Sequence, residues 1–370
     1  MGPFDTVYPS DSVEFCPHPH ATDIFVCGTY QLQDSPQNLP GNDDENLLEP
    51  QPSRQQQHRV GKCLVFRVDS PENDTFSQIQ EISLPAVLDM KWCHTTPERQ
   101  PVLGIADSEG HITIHEWDLQ TKQINSQFSV DCATSDVLCL SLDWSNRRMP
   151  TNTVSNLVVS LSNGHLSWLQ PNPIDGLIVA STWPAHDYEP WIAAWNYWDT
   201  NIIYSGGDDL QLKAWDLRQG FSNPFLTNKR FDAGITSIQS HPHVEHIIAV
   251  GSYDSTVRLF DTRKLLTPLT QAEVGGGAWR IKWHPSPARD HDLLVAAMHD
   301  GFKIVQFCDI WAEDPPPIGG ENWDIAQTFD KHTSLAYGVD WSFAEEHAQP
   351  GKTLVASASF YDHALHTWRG

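Results

Sequence analysis

Six residues of this 370-residue chain each stand immediately before a turn residue: Ser108, Ser162, Asp208, Tyr253, His299 and Tyr361. An imidazole can move a proton and a carboxylate can orient it. A serine hydroxyl can attack, and a phenol can stabilise a developing anion. Asp89, Trp191, Trp279, Arg280 and Tyr337 begin nearby apolar strands and are expected at the same end of the fold. Together these groups suit general-base chemistry, and they equally suit a docking surface rich in Tyr and Trp. The residue types leave both possibilities open.

The elements that would position them are set by a repeat. IIYSGGDDLQLKAWDLRQ (202–219) and IIAVGSYDSTVRLFDTRK (247–264) carry one pattern, closing on Asp216 and Asp261, 45 residues apart. A period near 40–45 with that ending marks a four-stranded propeller blade. Aligning on the turn gives late positions Phe66, His115, Leu169, Trp215, Phe260, Gln306 and Trp368, spaced by 49, 54, 46, 45, 46 and 62. Each unit opens on an alternating strand that ends in an aromatic, as in LDMKWCH (88–94), LSLDWS (140–145) and WRIKWHP (279–285). The chain is therefore expected to be all-β, one seven-bladed WD-repeat β-propeller over residues 1–370.

The last unit stops after its third strand at Trp368-Arg369-Gly370, and PFDTVY (3–8) is unassigned. Closure of the ring by this N-terminal strand removes the open edges. Residues 33–59, polar and rich in Pro and Gln, are expected to form a flexible insertion loop in the first blade.

Composition narrows the function classes. The net charge of −24 opposes nucleic acid and anionic membranes as partners and favours a basic protein surface. No apolar run is long enough to cross a bilayer, and no signal peptide is evident. Seven cysteines without C-x-x-C spacing suggest buried free thiols in a reducing compartment, so the cytoplasm is expected. His18, His20, His94, His241, His243, His246 and His284 all follow first strands. Spread over four blades, they cannot converge on one ion; HPHVEH (241–246) alone could hold a metal, and a turn with solvated histidines is favoured there. His186 and His332 are expected to bond the turn acids Asp209 and Asp362. The chain has no G-x-S-x-G elbow and no phosphate-loop motif, and Gly275-Gly276-Gly277 precedes a strand where a phosphate cradle needs a helix. Neither a cofactor nor a metal is expected, and a monomer is.

A more specific pattern overlies the repeat. CGTYQL (27–32), LDMKWCH, WIAAWNYW (191–198), YSGGDD (204–209), GSYD (251–254), WRIKWHP, GFKI (301–304) and SFYDHALHTW (359–368) resemble the WD-repeat diphthine methyl ester hydrolases of diphthamide biosynthesis. The resemblance touches all seven units. It implies an esterase whose partner is translation elongation factor 2. The substrate is a modified histidine with a trimethylammonium group and a methyl ester.

For such a reaction the repeat frame makes His299, the only histidine at a pre-turn position, the expected base for an attacking water, because a histidine titrates near neutrality. Asp208 would orient it or attract the ammonium, and Ser162 is the hydroxyl for a covalent alternative. Tyr253 or Arg280 would stabilise the oxyanion. Trp191, Trp279, Tyr253, Tyr337 and Tyr361 are the rings expected around the quaternary nitrogen, with Asp89 nearby. A non-catalytic adaptor is the competing class. It predicts that the polar groups of the mouth are consumed in turn networks, whereas the hydrolase predicts His299 and Asp208 free and facing the channel.

Overall fold

The structure, a computed structural model, describes residues 2–33, 58–70, 74–174, 176–308, 322–344 and 351–370. Among these residues the strands form seven antiparallel sheets, arranged as the blades of a propeller. The innermost strands are Ser10–Phe15, Val87–Cys93, Cys139–Trp144, Ile192–Trp195, Ile235–Ser240, Arg280–Trp283 and Ala336–Trp341, and all their residues are buried except the half-buried Tyr337. Their alternation sends apolar side chains between blades and polar ones into the central channel.

The Trp that ends the first strand is an inter-blade staple in the third, fourth and seventh blades. The indole nitrogen of Trp144 donates to the carbonyl of Lys91 at 2.9 Å, that of Trp195 to Asp143 at 2.9 Å, and that of Trp341 to Lys282 at 3.0 Å. Channel side chains run a second zip. Asp143 accepts the backbone N–H of Trp195 at 2.9 Å, Asp340 that of Phe15 at 2.8 Å, and Gln239 that of Trp283 at 2.6 Å. These innermost strands would otherwise bury unpaired N–H groups, a cost of about 1–3 kcal/mol each.

Phe4–Asp5 pairs with Ala364–Arg369, Phe4 opposite Leu365 and Asp5 opposite Ala364, so the N-terminus supplies the outer strand of the last blade. The ring is closed by a strand from each end of the chain. The insertion expected at 33–59 begins and ends in strand: Gln31–Gln33 pairs with the start of His58–Ser70, giving the first blade a fifth strand. Residues 34–57 lie outside the described residues.

One turn histidine differs from expectation: His241, expected to be solvated, is buried, as are His18 and His284. Each uses Nδ1 to accept a backbone N–H two residues on, from His20 at 3.2 Å, His243 at 3.0 Å and Ser286 at 3.0 Å. A proline follows each of them and fixes the turn that makes the cap possible. His186 behaves as expected: Nδ1 meets Asp209 at 2.8 Å, Nε2 meets Ser205 at 2.7 Å, and Trp215 donates to Ser205 at 2.9 Å. His332 instead contacts Ser359 and Ser357, and Asp362 is reached through Ser359.

Candidate functional site

The first strands all run in one direction, so their N-terminal residues gather at one mouth of the channel, called the top here. Aromatic rings are continuous across that mouth. Trp191 meets Trp279 edge-on at 5.6 Å, Tyr253 lies 5.9 Å from Trp279, and Tyr337 stacks on Trp279 at 4.7 Å. Phe360 continues from Tyr337 at 4.9 Å, and Tyr361 from Phe360 at 4.9 Å.

Glycines let this row close. A Cβ on Gly234 would stand 2.4 Å from an Asp208 oxygen and 3.1 Å from the Tyr253 ring, so its absence lets both side chains approach. Gly276 passes so close to Ala297 that a Cβ would fall 2.2 Å from that carbonyl oxygen. The triple glycine before Trp279 is therefore a packing device that seats the strand.

Beneath the rings lies a buried carboxyl that the sequence did not single out. Asp11 is the second residue of the first blade's inner strand, and one of its oxygens is buried without a hydrogen-bond partner. Burial raises its pKa to about 7, against the pull of the Arg280 guanidinium. The Trp279 indole N–H lies beside it without closing a hydrogen bond of normal geometry. Asp11 in turn helps to push the phenol pKa values of Tyr253 and Tyr337 upward, although burial is the larger cause for both. Its signal in SDSVEF was its place: Asp11 stands four residues before Phe15, as Trp191, Trp279 and Tyr337 stand before Trp195, Trp283 and Trp341.

The expected site residues divide into four groups. Trp191, Trp279, Tyr253 and Tyr337 come together at the mouth, and 69%-exposed Tyr361 ends the row. Asp208 is exposed beside them. Its pKa is raised by partial desolvation, and the Trp191 indole lies next to it without a formed hydrogen bond. Asp89 and Arg280 are buried below the mouth as an ion pair of 3.2 Å, and Lys91 meets Asp89 at 2.6 Å. They brace the channel wall below the rings, where Arg280 also acts on Asp11.

His299 and Ser162 depart from expectation. His299 is exposed in a separate groove of about 520 Å³ that it shares with Thr328, Asp330, Ser334 and Tyr361, between the sixth and seventh blades. The turn before which it stands projects outward there, so it is not paired with Asp208. The Ser162 hydroxyl accepts the backbone N–H of Leu138 at 2.9 Å, which ties it to its own turn. Phe360, unnoticed in the sequence, is what joins the groove to the channel mouth.

No family model matches the chain. The diphthine methyltransferase of Mus musculus is 39% identical over 364 residues, covering 94% of this chain and 70% of the mouse protein. The diphthine methyltransferase homolog of Dictyostelium discoideum is 36% identical over 391 residues, covering 98% and 96%. The chain belongs to the diphthine methyltransferase family. Both relatives are named for methyl transfer, whereas the sequence resemblance implies ester hydrolysis. A chain in a crystal structure of the mitotic checkpoint complex aligns with a TM-score of 0.63 over 100% of this chain and 89% of its own length. At 14% identity that likeness concerns the fold alone.

Proposed function

We propose that the protein acts in diphthamide biosynthesis as an esterase, removing the methyl ester from methylated diphthine on translation elongation factor 2. The observation that carries this proposal is the row of rings over a buried carboxyl at the top mouth. A trimethylammonium group is weakly hydrated and favours aromatic faces, each worth about 0.5–2 kcal/mol. Trp191, Trp279, Tyr253 and Tyr337 offer such faces, and Asp208 adds a negative charge at their edge. Family membership supports the pathway.

The chemistry assigned to the mouth is acid–base. Asp11, with a pKa of about 7, is suited to take a proton from water near neutral pH. The hydroxide adds to the ester carbonyl, Arg280 beside Asp11 counters the negative charge, and the methoxy group leaves as methanol with that proton. In this mechanism Asp11 replaces His299 as the base. The groove holding His299 instead extends the surface on which the elongation factor docks. The same rings would bind substrate for methylation, so direction must be measured. Purified protein is expected to release methanol from methyl-esterified elongation factor 2 in proportion to ester lost. Gain of a methyl group by the unesterified factor, with no methanol formed, would overturn the hydrolytic direction.

A further inference from the structure

The other end of the channel, the bottom mouth, opens into a cavity of about 630 Å³ whose chemistry is unlike that of the top. Arg147 lies at its base, with a side chain only 11% exposed. Its nearest acid oxygen, on Asp143, is 3.8 Å away, and the Tyr197 ring lies 5.7 Å off. Its guanidinium makes no hydrogen bond among the described residues. The other channel cations are differently placed: Lys91 is 2.6 Å from Asp89 and 2.9 Å from Glu14, Arg280 is 3.2 Å from Asp89, and Lys282 is engaged by Glu14 and Asp340. A guanidinium carries five donors, and buried donors are ordinarily satisfied. Those of Arg147 are left to whatever fills the cavity.

The rim repeats the chemistry. The Arg148 guanidinium lies 3.6 Å from the centre of the Trp198 ring, a stacking that leaves its in-plane N–H groups available. Met149 is 68% exposed, and Pro17, Pro242 and Phe343 complete an apolar wall. Arg147 and Lys282 also set a positive local field. Together with burial, they hold the neighbouring His94 imidazole at a pKa of about 3, hence neutral.

We infer that the bottom mouth is a second binding site, for a partner-protein segment whose carboxylate side chain, flanked by apolar residues, enters to pair with Arg147. A planar guanidinium with free donors matches a carboxylate in two parallel hydrogen bonds. A monoanion is preferred over phosphate because Asp143 and Asp340 stand behind Arg147 and Lys282 is already engaged. The apolar wall accounts for the flanking residues, and in a chain of net charge −24 an arginine-lined cavity is the exception that an acidic segment can use. This inference does not rest on the esterase proposal.

The test is calorimetric titration of the full chain with acetylated, amidated pentapeptides that place Glu between Leu, Phe or Pro. Saturable binding is expected, weakened about tenfold or more by Glu→Gln in the peptide or by Arg147→Gln in the protein, the loss of a charge-assisted bond. Arg148→Ala, at an exposed rim position, is expected to weaken binding several-fold with an unchanged melting temperature. It decides the matter if Arg147→Gln does not fold. Inorganic phosphate at equal concentration should not compete. Absence of binding, equal binding of Glu and Gln peptides, indifference to Arg148→Ala, or displacement by phosphate would each overturn the inference.

Discussion

The two mouths of the channel are made by the same seven strands, and they are opposites. The top gathers strand starts, where Trp191, Trp279, Tyr253 and Tyr337 cover the under-solvated acid Asp11. The bottom gathers strand ends, where Arg147 and Arg148 stand among aromatic and proline side chains. Between them a chain of alternating charges, from Arg280 and Asp89 through Lys91 and Glu14 to Lys282 and Asp340, fills the channel. Within the channel, a cavity lined by Lys91, Arg280 and Lys282 holds about 20 Å³, roughly the room one water needs. A ligand at one mouth therefore does not reach the other, and each mouth can be broken separately.

The sharpest break is Asp11→Asn, an isosteric change at a site where the carboxyl is already half protonated at neutral pH. Methanol release from the esterified elongation factor is expected to fall about 100-fold or more if Asp11 is the base. In the unaltered protein, kcat/KM should rise with pH through about 7, because only the ionised carboxyl accepts a proton. The variant should lose that rise. Peptide binding at the bottom mouth should not change. A variant with undiminished turnover would return the catalytic role to the groove that holds His299.

A smaller effect should come from the rings. Replacing Trp279 and Tyr337 together, Trp279→Leu with Tyr337→Leu, removes the stacked pair at the centre of the row. At about 0.5–2 kcal/mol per ring, KM for the trimethylammonium substrate should rise roughly tenfold or more. An analogue lacking the three methyl groups should lose less. Equal losses on both substrates would mean that the rings pack the mouth without recognising charge.

How much of this was legible in the sequence follows from what pattern can encode. The blades were legible because turns and alternation are local, and even the closing strand could be inferred from a unit missing its fourth member. The rings at the top mouth were legible too, since their phase within each repeat sets their end of the channel. His299 was misplaced because the direction of a turn side chain depends on how far its blade projects, which spacing does not record. The bond from the Leu138 N–H to Ser162 was not legible, because a hydroxyl gives no sign in sequence that a backbone N–H has claimed it. Asp11 was overlooked because the position it shares with Trp191, Trp279 and Tyr337 was read for its rings, and only packing shows a carboxyl oxygen left unpaired there.

The smallest expected effect sets the two mouths against each other in stability. Asp11 has a folded pKa of about 7 against an ordinary value of 3.8, so between those values the native state holds a proton that the unfolded chain has released. Its contribution is full below about pH 4 and is lost as pH rises towards 7. At the bottom, His284 is buried against Trp341, with Nε2 at 2.8 Å from Thr353, and its pKa is lowered to about 3 from 6.5. Here the unfolded chain holds the extra proton, so stability is full above about pH 6.5 and is lost as pH falls towards 3. Asp143 and Asp340, both raised to about 6, act in the first direction. His94, His332 and His241, lowered to about 3, 3 and 4, act in the second. One group changes the pH slope by at most about 1.4 kcal/mol per unit. Denaturant midpoints from pH 4 to pH 8 should therefore show His284→Asn less sensitive to acid than the unaltered chain. Asp11→Asn should be less sensitive to the rise from pH 4 to 7. Parallel curves for all three proteins would show that neither mouth titrates as its burial requires.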